Sequence, residues 1–239
     1  MKRNPKAPQA PSHWSALPDY MRTALVERLD ALDIVGGATF TQGWATREKR
    51  RQLAQLVIDH ECKTIVEIGV FGGRSLIALA IAGQLNPSGV RVVGYDPYTV
   101  AAALEDMKDA ESIAWWQGKT GMNIQEIHAG AVKAIKDCGV EHIARIIAKT
   151  DADGIHDWAD GSLDLLHLDG NHEDDISLRT AELWLPKLRA GGILVQDDVN
   201  WPQVRKTVRW LDAQALLRLE WLPEKDGAQW GVWQVPISA

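Results

Sequence analysis

Two different hydrophobic periods divide the chain. From Asp19 to Asp33 the apolar residues Met21, Leu25, Leu29 and Leu32 recur at helical spacing, with Pro18 opening the segment and Gly36 and Gly37 closing it. After the linker 38–44, a second helical stretch runs from about Thr46 to His60. Leu53, Leu56 and Val57 mark its buried side, and the charge run Arg47 to Arg51 is expected to be its solvated face. From Lys63 the pattern becomes short apolar runs separated by helical segments. The runs cover 64–69, 90–96, 144–149, 163–169 and 192–197, and helices are expected at 73–85, 123–139 and 174–192. Apolar strands joined by crossovers predict a parallel sheet covered by helices on both faces. The end of the chain differs: a helix from Val204 to Leu216 precedes two strands around a turn at Asp226-Gly227, which predict an antiparallel hairpin. The expected fold class is α/β, a doubly wound Rossmann-like sheet. Residues 1–16 read as a flexible tail, 17–62 as helices that cap a site, and 63–239 as the ligand-binding domain.

The 239 residues suit one large domain. A net charge of -6 gives no global pull toward nucleic acid or anionic lipid. No apolar run is long enough to span a bilayer, and the basic N-terminus lacks an apolar signal region. Cys62 and Cys138 are too few for a disulfide framework and read as buried thiols. The expectation is a soluble, cytoplasmic protein, with a homo-oligomer left open.

In an open parallel sheet, ligands bind beyond the carboxyl ends of the strands. Here those ends carry Glu67-Ile68-Gly69, Tyr95-Asp96, Thr150-Asp151, Leu168-Asp169 and Asp197-Asp198. The first strand runs into Gly69, Gly72 and Gly73, which permit a tight turn, and the helix start at Ser75 offers N–H groups to an anion. Glu67 stands where a dinucleotide fingerprint has its first glycine, so a pyrophosphate is disfavoured and an amino-bearing ligand is not. Asp96, ending the second strand, suits ribose hydroxyls. The pocket is therefore expected to hold a nucleoside with a charged, non-phosphate tail.

With these residues the chain resembles the class I S-adenosylmethionine-dependent methyltransferases over about residues 40 to 235. The resemblance implies that Glu67 and Gly69 border the methionine moiety, Ser75 its carboxylate, Asp96 the ribose, and Asp151 and Ala152 the adenine, with Gly72 also at the cofactor. It also implies that Gly43 and Trp44 close over the cofactor. Asp96-Pro97-Tyr98 looks like part of an amino-methyltransferase motif, but it follows the wrong strand.

Asp169, Asp197 and Asp198 end neighbouring strands in that topology, and three close anions call for compensation. A divalent cation held by these oxygens, magnesium foremost, is the expected answer. His172, three residues past Asp169, is the candidate general base. His167, within a strand, is expected to be a satisfied core residue. The set resembles metal-dependent O-methyltransferases, more closely those acting on sugars than on catechols, where a lysine holds the base position. The resemblance implies a small hydroxylated acceptor. The insert 97–121 with Trp115 and Trp116, together with Trp201, is expected to wall the acceptor pocket. Three alternatives stay open: a metal-independent methyltransferase, an oxygenase resembling cephalosporin hydroxylase, and a noncatalytic nucleoside-binding protein.

Overall fold

The computed structural model describes residues 13–33, 43–86, 89–223 and 229–237. The expected helix stop at Gly36-Gly37 and the turn at Asp226-Gly227 lie outside these residues, as do residues 1–12 of the expected tail. The described chain runs α1 (His13–Ala16), α2 (Asp19–Ala31), α3 (Arg47–Asp59), β1 (Thr64–Ile68), α4 (Arg74–Gly83), β2 (Arg91–Tyr95), α5 (Val100–Ala103), α6 (Ala110–Trp116) and α7 (Ile124–Asp137). It continues through β3 (Ala144–Ile147), α8 (Asp151–Gly154), β4 (Leu163–Leu168), α9 (Asp174–Trp184), β5 (Leu188–Gln196), α10 (Arg205–Ala213), β6 (Leu217–Pro223) and β7 (Gln229–Gln234).

The strands form one sheet in the order β3-β2-β1-β4-β5-β7-β6. β1 to β5 are parallel, and β7 joins β5 antiparallel before pairing with β6. Strand order reverses between β1 and β4, which is where such sheets open a crevice for ligands. One apolar layer holds α4 and α7 against the sheet around Leu76, Leu79, Ile127 and Ala134. The other holds α9 and α10 through Trp184, Leu211 and Trp233. Apolar residues surround α4 on every side because it is covered twice: Ser75 to Gly83 are all buried, with the sheet below and α3 above.

Three boundaries differ from expectation, each for a local reason. Residues 13–16 form a helical turn, and the Trp14 N–H donates to Asp59 Oδ1 at 2.7 Å, so this part of the expected tail is docked on α3. α9 stops at Trp184, because Pro186 cannot continue a helix, and β5 begins at Leu188. α10 ends at Ala213, which frees Leu217 to start β6. Trp184, Trp230 and Trp233 pack in the core, whereas the side chain of Trp221 lies outside the described residues. Among the described residues no helix is long and apolar enough to cross a membrane. Both cysteines are free thiols; Cys62 is buried, with its pKa pushed up by desolvation, and Cys138 is half-buried.

Candidate active site

The turn after β1 is fixed by the end of β4. Gly69 has φ +84°, and a Cβ there would stand 2.1 Å from the carbonyl oxygen of Asp169. Only glycine lets the two segments approach so closely. The Asp169 N–H donates to the Ile68 carbonyl at 2.8 Å, so the glycine turn and the first acid are locked together. Asp96 braces the same turn from β2. Its Oδ2 accepts the N–H groups of Val70 (3.1 Å) and Phe71 (2.9 Å), and its Oδ1 accepts that of Tyr98 (2.9 Å). The buried Tyr98 hydroxyl donates to the Phe71 carbonyl at 2.7 Å and ties the 97–121 insert to the turn.

These strand ends border a cavity of about 1410 Å³. That is more than one small ligand fills, and it suits a cofactor with an acceptor beside it. Gly43, Trp44, Gly69, Ser75, Asp96, Asp151 and Ala152 line it, as do Asp169, His172, Asp197 and Asp198. Asp151 accepts a hydrogen bond from Thr180 Oγ1 at 2.7 Å. Trp44 is 63% exposed and stacks on Phe71 with ring centroids 4.4 Å apart. Trp115 and Trp116 of α6 extend this aromatic group, and the Trp201 ring lies 5.3 Å from that of His172.

Gly72 and Glu67 are not among the lining residues. Glu67 pairs in register with His167 of the neighbouring strand. Its carboxylate therefore meets that ring, with Oε1 2.7 Å from Nδ1, and stays fully buried behind the cavity wall. His167 is satisfied at one nitrogen only; its Nε2 has no hydrogen-bond partner and lies 3.9 Å from Asp169 Oδ2.

All three acids line this cavity, but Asp198 is set off from the Asp169–Asp197 pair, because consecutive side chains at the end of a strand point apart. Asp197 faces Asp169. Asp198, with φ +50°, faces His172, whose Nε2 lies 3.3 Å from its Oδ2. Among the described residues, two sets have ligand atoms within 4.8 Å of one another: Glu67, His167 and Asp169, and Asp169, His172 and Asp197; neither includes Asp198. Burial holds the His172 pKa down to about 4, so the imidazole is neutral at pH 7.

A cation already stands between the two acids. Lys49 of α3 donates from Nζ to Asp169 Oδ2 at 3.0 Å and to Asp197 Oδ2 at closer range. Its side chain is 4% exposed. The expectation of a solvated face for Arg47 to Arg51 fails here and at Arg50. The latter is fully buried and forks onto Asp33 Oδ1, with both bonds 2.9 Å long, joining α2 to α3. The signal was present in the sequence. Lys49 lies four residues before Leu53, on the same helical stripe, and Arg50 lies four before Ala54. Carboxylate proximity settles the charges of the group: Lys49 pulls the Asp197 pKa down, whereas burial and Asp197 push that of Asp169 up.

A methyltransferase-domain family model matches residues 66–199, which span the glycine turn and all of the strand-end acids. No match to a curated protein was found. Among solved structures, the O-methyltransferase TomG of Streptomyces achromogenes, involved in tomaymycin synthesis and solved with S-adenosylmethionine, is 17% identical. The match covers 89% of each chain at a TM-score of 0.61. An O-methyltransferase from Bacillus cereus in complex with S-adenosylhomocysteine is 16% identical, covering 92% of this chain and 98% of that one at 0.61. The Podospora anserina methyltransferase PaMTH1, also bound to S-adenosylhomocysteine, is 18% identical, covering 91% and 88% at 0.56. At such identities the likeness is one of fold. The family match extends over more than half the sequence and agrees with the sheet order and its glycine turn: this chain belongs to the methyltransferase-domain family and has the class I S-adenosylmethionine-dependent methyltransferase fold.

Proposed function

We propose that the protein moves the methyl group of S-adenosylmethionine to a hydroxyl oxygen of a small molecule. The observation that carries this reading is that one cavity joins the glycine turn, Asp96 and His172. The residues present fit the cofactor. Ser75 lies in the first turn of α4, whose free N–H groups suit a carboxylate. Asp96 is held rigid by three backbone N–H groups and keeps acceptor capacity for ribose hydroxyls. Trp44 and Gly43 flank the mouth, and Asp151 and Ala152 border the adenine.

When bound, the cofactor supplies a methyl carbon on a sulfonium that departs as a neutral thioether, so no acid is needed at the leaving group. The acceptor oxygen bonds to that carbon as the carbon–sulfur bond breaks. Its proton passes to the His172 imidazole, which is neutral and can receive it. Asp198 at 3.3 Å favours the imidazolium as it forms. The aromatic group of Trp44, Phe71, Trp115 and Trp116 supports a flat or ring-shaped acceptor.

A resident divalent ion fits these residues poorly. Asp169, His172 and Asp197 are close enough to ligate one, but the space between the two carboxylates holds the Lys49 ammonium. Titration calorimetry with S-adenosylhomocysteine tests the reading. Binding is expected, with Asp96→Ala weakening it by about tenfold or more through the lost ribose contacts. No heat with the wild-type protein would refute it. A panel of small hydroxylated compounds, scored by S-adenosylhomocysteine release, then identifies the acceptor.

A further inference from the structure

Buried carboxylates that face one another need a positive partner. In metal-assisted enzymes a bound ion fills that need, orienting the nearby groups as it does so. Here the partner comes from the chain itself. Lys49 reaches down from α3, a helix outside the sheet, and its ammonium touches the acids that end β4 and β5. The contact joins segments 120 and 148 residues apart in sequence. It is buried, so little water screens it.

We infer that Lys49 is the built-in cation of this site: its ammonium replaces a divalent ion between Asp169 and Asp197, and the protein works without metal. The inference rests on the methyltransferase reading of the same cavity and adds what holds its acids in place. Geometry supports it: the ammonium touches both carboxylates, 3.0 Å from Asp169 Oδ2 and closer still to Asp197 Oδ2, so the space an ion would need between them is filled. An ion entering between the acids would also meet the ammonium at contact distance and be repelled. Lys49 is thus a positioning residue, fixing the wall against which His172 stands 3.8 Å from Asp169 Oδ1.

Manganese is the probe, and electron paramagnetic resonance of the full chain titrated with Mn²⁺ is the readout. The wild-type protein is expected to show no stoichiometric Mn²⁺ site, and its turnover is expected to be unchanged by EDTA. Lys49→Ala vacates the space between the carboxylates and should gain one Mn²⁺ per chain, about tenfold or more tighter than any wild-type binding. Adding Asp197→Asn to that variant should abolish the gain, and Lys49→Arg, which keeps the charge, should exclude Mn²⁺ as the wild type does. One Mn²⁺ per wild-type chain, lost in Asp197→Asn, would overturn the inference. So would a Lys49→Ala variant that folds by circular dichroism and gains no site. Calorimetry with S-adenosylhomocysteine keeps the two ideas apart: failure there refutes the methyltransferase reading, whereas the Mn²⁺ titration judges the cation alone.

Discussion

Replacing Gly69 by alanine measures how tightly the glycine turn and the acid of β4 are fastened together. The added Cβ would lie 2.1 Å from the Asp169 oxygen, 2.5 Å from its carbonyl carbon and 2.6 Å from Gly170 Cα. All three are backbone atoms, so no side-chain rotation relieves the clash, and the end of β4 must retreat by more than an ångström to ordinary contact at 3.4 Å. Two costs add. A non-glycine residue at this φ costs about 1–2 kcal/mol. Overpacking against fixed backbone costs about 1–3 kcal/mol more. The expected loss is therefore about 2–5 kcal/mol, which for a chain of this length lowers the melting temperature by roughly 5–20 °C. Gly161 supplies the control. Its φ is +67° and a Cβ there meets nothing within 4 Å, so Gly161→Ala should carry the backbone cost alone. Denaturant unfolding of both variants, read by tryptophan fluorescence, gives the difference. Calorimetry with S-adenosylhomocysteine on folded Gly69→Ala should show weakened binding, because the retreat moves Asp169 and the turn together. Equal stability losses for the two variants would refute the close-approach argument.

His172→Gln should lower turnover by about 100-fold or more while leaving S-adenosylhomocysteine binding unchanged, as expected for a base that touches only the acceptor. The same variant has a pH signature. The ordinary histidine pKa is 6.5 and the folded value is about 4, so below pH 6.5 the unfolded chain takes up a proton that the folded chain refuses. Stability from this group is present above pH 6.5 and is lost as pH falls toward 4; a melting-temperature profile of His172→Gln should be flatter than wild type across that interval, and parallel curves would disprove the burial effect. Trp44→Ala removes an exposed ring that stacks on Phe71, so stability should change by no more than about 0.5 kcal/mol. Ligand affinity should fall, and unaltered calorimetric binding would show that Trp44 does not close the mouth.

Much of the site was readable from residue order, because a parallel sheet sends every strand's C-terminal end to one edge. Gly69, Asp96, Asp151, Asp169 and Asp197 follow five different strands, and that rule alone brings them to one cavity. Glu67 was harder to read. It sits in β1, one residue before the strand's last position, and whether its carboxylate enters the cavity depends on what it meets across the ladder. The register with β4 sets it against His167, which turns it into the wall. Asp198 took its place for a related reason: adjacency in sequence with Asp197 does not mean a shared face, and its backbone at φ +50° carries it to His172.

The sequence by itself determined the alternation of strands and helices, the glycine turn and the gathering of acids at one edge. These follow from local periodicity and from the single direction of parallel strands. Only the tertiary structure decided what balances those acids. Charge compensation depends on distances of a few ångströms, and the ammonium that supplies it comes from a helix more than a hundred residues away in the chain. The stripe shared by Lys49 and Leu53 showed that the lysine turns inward. That it ends on Asp169 and Asp197 depends on how α3 packs over α4 beside the sheet, which no local pattern encodes.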